Sequence, residues 1–260
     1  MKMSKQLEFM KNKVIILAGG KGTRMKTDCP KVLVKALGRT MIDRVLDSVM
    51  NFDSSLVPVV VVGYEGEKVA EQIKHRAEIA WQREQLGTGH AVAQAKNKFK
   101  NYSGAILILY GDHPLINSDT IKKLFDLHHE NSSVLTMMTT EVEDFQDWRQ
   151  GFQGFGRILR NDQAEIQLIQ EFKDCSDDEK LIKELNPGYY CFDSQWLWEN
   201  VERLKNDNSQ NEYYLTDLIS LANTQNIKIN SIQINPIECL GINTKEQLEL
   251  IEGLIRTTEM

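Results

Sequence analysis

Hydrophobic positions follow two alternating patterns over the first half of the chain. Short, continuous apolar runs are typical of strands buried on both faces, and they occupy residues 14–18, 56–63 and 105–110. Between them, apolar residues recur at helical spacing, as over 41–50, where Thr40 provides a favourable N-cap. Strands that alternate with helices predict an α/β fold with a Rossmann-like, mostly parallel sheet and helices on both faces.

The pattern changes after residue 140. Two apolar stretches flank Asn161–Asp162 and predict an antiparallel pair of strands around a turn. Other predicted features are a cap at Ser118, a helix over 213–225, and a last helix opened by Thr244 and Gln247 in a capping box. No linker rich in Pro, Gly or Ser separates the halves, so we predict one domain with a small antiparallel lobe.

Composition narrows the class of protein. Apolar residues make up 41% of the 260 residues, enough for a substantial core, and the net charge is −6. An acidic chain is a poor ligand for nucleic acid, so we expect no nucleic-acid partner. No apolar run approaches the roughly 20 residues of a membrane helix, and the N-terminal segment lacks a signal-peptide core. With four scattered cysteines, we expect reduced thiols in a cytoplasmic protein.

The stretch ILAGGKGTRMKTDCPK, residues 16–31, combines a glycine loop with cations directly after the first buried strand. Ligands of parallel α/β sheets lie beyond the carboxyl ends of the strands. Bare backbone N–H groups, together with Arg24 and Lys31, would bind phosphate oxygens there. The spacing fits neither the Walker A loop nor the Rossmann fingerprint.

The same stretch resembles the signature L-x-x-G-x-G-x-R-M…P-K of the sugar-phosphate nucleotidyltransferases. Further resemblances follow in the family's order and span about 13–255. They are QREQLGTGHA (82–91), YGDHPLI (110–116), GFGRI (154–158), QEFKD (170–174), ELNPGYY (184–190), NEYYLTD (211–217) and CLGINTKEQL (239–248). Together they are most similar to the uridyltransferase domain of the bifunctional N-acetylglucosamine-1-phosphate uridyltransferase/glucosamine-1-phosphate acetyltransferases. That family's β-helix domain would show hexapeptide repeats, which this sequence lacks, so we expect no acetyl transfer.

The resemblance implies a role for each matching residue and Mg²⁺ as the cofactor. The catalytic residues would be Arg24 and Lys31. The nucleotide-binding residues would be Leu17, Ala18, Gly19, Gly20, Gln82, Gly87 and Thr88. The sugar-binding residues would be Gly111, Gly156, Glu171 and Asn186, and the metal ligands Asp112 and Asn243. His113 stands where valine is common in the family, and we expect it to be structural.

The resemblance also implies the nucleotide-diphospho-sugar transferase fold and a division of the single domain. It would comprise an N-terminal extension (1–12), a nucleotide-binding lobe (13–140), a sugar-binding lobe (141–243) and a C-terminal helix (244–260). The implied substrates are UTP and N-acetylglucosamine 1-phosphate. The oligomeric state is left open, with a monomer favoured.

Three alternatives stay open. Gly19 replaces the usual alanine and is more typical of thymidylyl- and guanylyltransferases, so a sibling enzyme with another nucleotide or sugar is possible. Cytidylyltransferases share the glycine loop but are disfavoured by Glu171 and Asn186. A nucleotide-sugar-binding protein without catalysis is the third alternative.

Overall fold

The computed structural model describes residues 11–20, 29–242 and 244–258. Its strands are β1 (Asn12–Ala18), β2 (Lys35–Ala36), β3 (Arg39–Thr40), β4 (Val59–Val62), β5 (Glu78–Trp81), β6 (Ala105–Tyr110), β7 (Leu135–Glu141), β8 (Gly156–Arg160), β9 (Ile166–Gln170), β10 (Glu184–Asn186), β11 (Tyr190–Asp193) and β12 (Ile229–Ile234). Its α-helices are α1 (Met41–Phe52), α2 (Gly66–Ile73), α3 (Thr88–Ala95), α4 (Ser118–Glu130), α5 (Ser194–Asn200), α6 (Asp217–Thr224) and α7 (Lys245–Thr258).

Ten of the described strands form one mixed sheet. Strands β5, β4, β1 and β6 are adjacent and parallel. Strand β11 then lies antiparallel between β6 and β7, and β12 pairs parallel with β7. Strands β10, β8 and β9 extend the sheet in antiparallel order. The predicted fold class is confirmed, and the structure adds that β11 and β12, from the second half of the chain, return to the central sheet.

Helices cover both faces of the sheet, as predicted. On one face, α1, α2, α4 and α7 bury residues such as Ile42, Val69, Leu124 and Ile251. On the other face, α3, α5 and α6 bury Val92, Leu197 and Leu218. Burial of this apolar surface on both sides makes the strands of the sheet core a rigid base for the loops at their ends. Within the described ranges, no helix has the length and apolarity needed to cross a membrane.

Most predicted helix boundaries are confirmed, with two corrections. Thr40 Oγ1 accepts from Asp43 N at 3.2 Å, and Thr244 Oγ1 accepts from Gln247 N at 3.2 Å, so both predicted caps are present. The cap of α4 is Asn117 rather than Ser118, because the Asn117 Oδ1 atom accepts from the Thr120 amide at 2.8 Å.

The second correction concerns α6, which begins at Asp217 rather than at 213. Tertiary contacts with the start of α3 use the backbone of 213–216 instead. Tyr213 O accepts from Gly89 N at 2.8 Å, and Leu215 N donates to Thr88 Oγ1 at 3.0 Å. These hydrogen bonds replace the first turn that the hydrophobic pattern predicts.

Candidate active site

The carboxyl ends of β1 and β6 lie side by side, because the two strands pair in parallel. Just beyond β6, Gly111 N donates to Leu17 O at 2.9 Å and extends this pairing. The described part of the glycine loop, Gly19 and Gly20, therefore follows β1 at the same edge where Asp112 follows β6. This is the position predicted from the general placement of ligands in parallel α/β sheets.

A cavity of about 360 Å³ opens at this edge. Its walls contain all seven residues predicted to bind nucleotide. They are Leu17, Ala18, Gly19, Gly20, Gln82, Gly87 and Thr88. The remaining wall residues are Lys31, Val32, Gln85, Ala91, Tyr110, Asp112 and Glu212. More than half of the wall residues thus come from two short stretches of sequence, 17–20 and 82–88. We refer to it as the first cavity.

Gly87 has a backbone conformation that the first cavity requires. Its φ of +108° lies in the region that favours glycine, and its carbonyl accepts the Ala91 amide at 3.1 Å as α3 begins. A Cβ atom at this position would lie 2.6 Å from Tyr213 O. A larger residue would therefore displace the 213–216 segment from the start of α3.

The orientation of the Gln82 amide follows from its partners. Gln82 is 5% exposed, and its Nε2 donates to Gly87 O at 3.0 Å and lies 3.2 Å from His90 Nδ1. Turning the amide around would place Oε1 against the Gly87 carbonyl, so Nε2 must occupy this position. One amide hydrogen is then used on the Gly87 carbonyl. The Oε1 atom is left as an acceptor beside Gly19, in the wall of the first cavity.

A second cavity, of about 320 Å³, adjoins the first. Its walls contain the predicted sugar-binding residues Gly156, Glu171 and Asn186. They also contain Lys31, Thr88, Tyr110, Asp112, His113, Gly151, Gly154, Phe155, Pro187, Gly188, Glu212, Tyr214 and Thr216. Gly111 has another position. It is buried next to Asp112, with its amide directed to β1, so the structure does not bring it together with the other three.

Asn186 is oriented in the opposite sense to Gln82. Its Oδ1 accepts from Gly188 N at 3.0 Å and from the Tyr190 hydroxyl at 2.8 Å. The amide NH₂ group is therefore left to face the second cavity as a donor. Gly188, with φ +86°, and Pro187 form the tight turn after Asn186, so Pro187 is compatible with this geometry.

Glu171 is one of three carboxylates in the walls of the second cavity, together with Asp112 and Glu212. Thr216 Oγ1 donates to Glu171 Oε1 at 2.9 Å. Burial raises the pKa of Glu171 above its usual value of 4.5, and the hydrogen bond from Thr216 only partly opposes this. The carboxyl oxygens of Glu171 can accept hydrogen bonds from hydroxyl groups.

An ion pair between Lys31 and Asp112 lies where the two cavities meet, and both residues line both cavities. Burial by itself would raise the pKa of Asp112, but the Lys31 ammonium group, His113 and local hydrogen bonds lower it to about 2. Asp112 therefore stays ionised at physiological pH. An ionised carboxylate is the type of ligand that Mg²⁺ prefers, so Asp112 fits the expected metal.

His113 is buried beside this ion pair. Its Nδ1 lies 2.8 Å from the Tyr189 hydroxyl, and its Nε2 lies 3.9 Å from Asp112 Oδ1. Burial lowers the pKa of His113, against the opposing effect of Asp112. The imidazole is thus neutral near pH 7.

Two predicted site residues, Arg24 and Asn243, lie outside the described residues. The segment that leads to Asn243 does reach the site, because a Cβ atom on Gly241 would lie 3.3 Å from Asp112 O. Across residues 11–20, 29–242 and 244–258, no group of three or more His, Cys, Asp or Glu side chains could hold a metal ion. The site as described offers one or two protein ligands, as is usual for magnesium bound together with phosphates.

Sequence reasoning missed several residues of the cavity walls. Tyr110 lines both cavities, and Gln85 lines the first; Glu212, which also lines both, lies in the matching segment 211–217. The position of Tyr110 at the carboxyl end of β6 was a usable signal, since that end was already expected to face the ligand. Gln85 lies within the matching segment 82–91 but gives no signal of its own.

Comparisons with known proteins agree with this architecture. The family model "nucleotidyl transferase" matches residues 13–232. The bifunctional protein GlmU of Streptococcus uberis is 40% identical over 248 residues, and that of Clostridium perfringens is 40% identical over 243 residues. These matches cover 95% and 93% of this chain but 52% of each relative, so the chain spans about half the length of the curated relatives it matches.

A solved structure has the same fold at low sequence identity. It is assigned as a glucose-1-phosphate thymidylyltransferase from Bacillus anthracis, in complex with a sucrose. The TM-score is 0.71 at 17% identity, and the match covers 95% of this chain and 96% of that one.

Proposed function

Because the chain belongs to the nucleotidyl transferase family, we propose that it forms UDP-N-acetylglucosamine and pyrophosphate from UTP and N-acetylglucosamine 1-phosphate. One observation carries the proposal: the Lys31–Asp112 pair joins two adjoining cavities. One cavity is lined by every residue predicted to bind nucleotide, and the other by three of the four predicted to bind sugar. The identity to bifunctional GlmU proteins supports this choice of substrates.

The uracil ring would bind in the first cavity against Gln82. The Oε1 atom of Gln82 is an acceptor, so it suits a base that presents an N–H group. Uracil and thymine have N3–H at this edge, whereas cytosine has an unprotonated N3 that would face Oε1 without a hydrogen. The amide orientation thus favours UTP or dTTP over CTP. Gly87 and Thr88 would approach the base through the backbone.

The phosphates would lie across the glycine loop toward Lys31. Leu17, Ala18, Gly19 and Gly20 would contact them or the ribose through the backbone, and Arg24 would neutralise the departing pyrophosphate. The sugar would bind in the second cavity. There Glu171 would accept from its hydroxyls, the Asn186 amide would donate to a sugar oxygen, and Gly156 would contribute backbone groups.

In the proposed reaction, an oxygen of the sugar phosphate attacks the α-phosphorus of UTP in line. A new P–O bond forms, the bond to the bridging oxygen of the β-phosphate breaks, and pyrophosphate leaves with that electron pair. No protein nucleophile is needed, since the attacking oxygen is already anionic. Asp112 and Asn243 would hold Mg²⁺, which supplies neutralisation of phosphate charge when bound. Lys31 would stabilise charge at the α-phosphate, and the walls of the two cavities would align the reactants.

Pyrophosphate release tests the proposal. Each of UTP, dTTP, CTP, ATP and GTP is combined with the 1-phosphates of N-acetylglucosamine, glucosamine, glucose and mannose, with and without Mg²⁺. We expect a Mg²⁺-dependent preference for UTP with N-acetylglucosamine 1-phosphate. A preference for another pair would assign a sibling transferase. No release from any pair would overturn catalysis and favour a nucleotide-sugar-binding protein.

A further inference from the structure

The hydrogen bonds around His113 determine which nitrogen of its ring carries the proton. The Tyr189 hydroxyl donates to Glu238 O at 3.0 Å, and the same oxygen lies 2.8 Å from His113 Nδ1. A hydroxyl has one hydrogen, so Tyr189 can only accept from His113. The proton is therefore on Nδ1, and Nε2 carries an electron pair without a proton.

The unprotonated nitrogen lies near Asp112. Nε2 lies 3.9 Å from Asp112 Oδ1, while the other carboxylate oxygen, Oδ2, pairs with Lys31. Two acceptors that face each other without a hydrogen between them call for a cation or a water molecule. Ligand distances to small divalent cations are about 2.0–2.2 Å, so one ion can reach both atoms at this separation.

The surroundings hold the imidazole in this orientation. The ring of Phe155 is stacked at 6.3 Å between centroids with an interplanar angle of 7°, and the ring of Tyr110 lies at 5.5 Å. Gly241 adds no side chain on this side, where a Cβ atom would lie 3.2 Å from His113 Cδ2. A histidine whose second nitrogen donates to a fixed partner is the usual arrangement of a metal-binding histidine.

We propose that His113 Nε2 is a ligand of the same divalent cation as Asp112, and that this nitrogen shifts the preference of the site from Mg²⁺ toward transition metals such as Co²⁺ or Mn²⁺. The inference rests on the proposed function only in taking Asp112 as a cation ligand. Magnesium prefers oxygen ligands and gains little from an imidazole, whereas first-row transition metals bind imidazole well. His113 would therefore have a chemical role at the site, whereas the sequence analysis expects it to be structural.

The first experiment detects the nitrogen directly. Mn²⁺ is added to the metal-free protein with UTP but without sugar phosphate, and pulsed EPR is used to detect coupling to ¹⁴N. We expect the coupling in the unmodified protein and in His75→Val, which removes an exposed histidine. We expect its loss in His113→Val and in His113→Gln, which retains polarity and size. Coupling that persists in both variants, or is absent from the unmodified protein, overturns the proposal.

The second experiment measures selectivity. Calorimetric titrations give the Co²⁺ and Mg²⁺ affinities of the unmodified protein, the three histidine variants and Tyr189→Phe. Circular dichroism verifies that each variant is folded. We expect His113→Val and His113→Gln to weaken Co²⁺ binding about tenfold and to change Mg²⁺ binding little. Tyr189→Phe should also weaken Co²⁺ binding, because it removes the partner of Nδ1. Equal weakening of Co²⁺ and Mg²⁺ binding, or no weakening of Co²⁺ binding, overturns the ligand role. Neither readout depends on turnover, so a failure of the proposed reaction would be seen separately as absent pyrophosphate release.

Discussion

The two cavities that meet at the Lys31–Asp112 pair use an amide side chain in opposite ways. In the first cavity, the NH₂ group of Gln82 donates to the Gly87 carbonyl, and its Oε1 atom is left as the acceptor in the cavity wall. In the second, the Asn186 oxygen accepts from Gly188 N and the Tyr190 hydroxyl, and its NH₂ group is left as the donor. Residues of the same chemical type thus become an acceptor in one cavity and a donor in the other, and the neighbours alone decide which.

The cavities also differ in how they are built. The first lies at the ends of parallel strands and is formed largely by backbone and small residues close in sequence. The second shares Lys31, Thr88, Tyr110 and Asp112 with the first and adds side chains from the antiparallel part of the chain, such as Glu171 and Asn186, and from 212–216. A backbone site is disturbed by adding atoms, whereas a side-chain site is disturbed by removing groups. The following predictions test this contrast.

The largest effect is expected where the two cavities share a residue. Lys31→Ala removes the cation at the junction, and we expect kcat to fall about 10²–10³-fold, as for the loss of one charge-stabilising donor. Pyrophosphate release measures it, and Lys35→Ala, which removes an exposed lysine, is the control. Near-normal turnover of folded Lys31→Ala protein would contradict a role at the junction.

A second large effect is expected on replacing Arg157, which holds the backbone next to the second cavity by hydrogen bonds. Its fully buried guanidinium donates to the carbonyls of Phe155, Gln153 and Lys180. Arg157→Met leaves these oxygens without a donor, so we expect the free energy of unfolding to fall by about 2–4 kcal/mol. Denaturant unfolding measures this change.

The same variant separates the two cavities. Phe155 lines the second cavity, so Arg157→Met should raise KM for the sugar phosphate more than KM for UTP. Arg160→Met, on the same strand, breaks a more exposed ion pair with Glu184 and should cost about 1 kcal/mol or less. Equal stability losses for both variants, or a larger change in the KM for UTP, would contradict the supporting role of Arg157.

A smaller, pH-dependent effect is expected for Glu171. We expect Glu171→Gln to raise KM for the sugar phosphate about tenfold near pH 7, with KM for UTP little changed. The raised pKa of Glu171 means that it takes up a proton at a higher pH than an ordinary glutamate. Sugar-phosphate binding should therefore weaken as pH falls toward 4.5, while Asp112, with a pKa of about 2, stays charged.

Glu171→Gln should lack that part of the acid limb, and profiles of kcat/KM for both proteins measure it. The pH dependence of folding stability that Glu171 contributes is opposite to that of a carboxylate whose pKa is lowered by folding. The folded state binds the proton more tightly, so stability from this group falls as pH rises from 4.5 through the raised pKa. Identical acid limbs in the two proteins would show that Glu171 does not govern sugar binding.

The smallest effect is expected at Gly19. A Cβ atom there would lie 2.9 Å from Gln82 Oε1, which can shift because it is the end of a side chain. We expect Gly19→Ala to cost about 1 kcal/mol or less, seen as a KM for UTP raised by at most about fivefold. Gly253→Ala, in open space on α7, is the control. A change of preferred base would instead show that Gly19 helps to select it.

Local sequence determined much of this protein. The apolar runs specified β1, β4 and β6, and the position of the glycine loop and Asp112 directly after β1 and β6 placed both at one edge. Thr40 and Thr244 cap the helices they precede, because capping involves residues only three positions apart. Side-chain periodicity and capping act between near neighbours, so a sequence pattern contains them.

Tertiary structure decided the rest. Only the folded chain inserts β11 between β6 and β7, and only the fold pairs Lys31 with Asp112, 81 positions apart. Tertiary contacts also decide that α6 begins only at Asp217, and they decide how the Gln82 and Asn186 amides are oriented. Each depends on a hydrogen-bond partner brought close by packing rather than by position along the chain, and no local periodicity encodes such a partner.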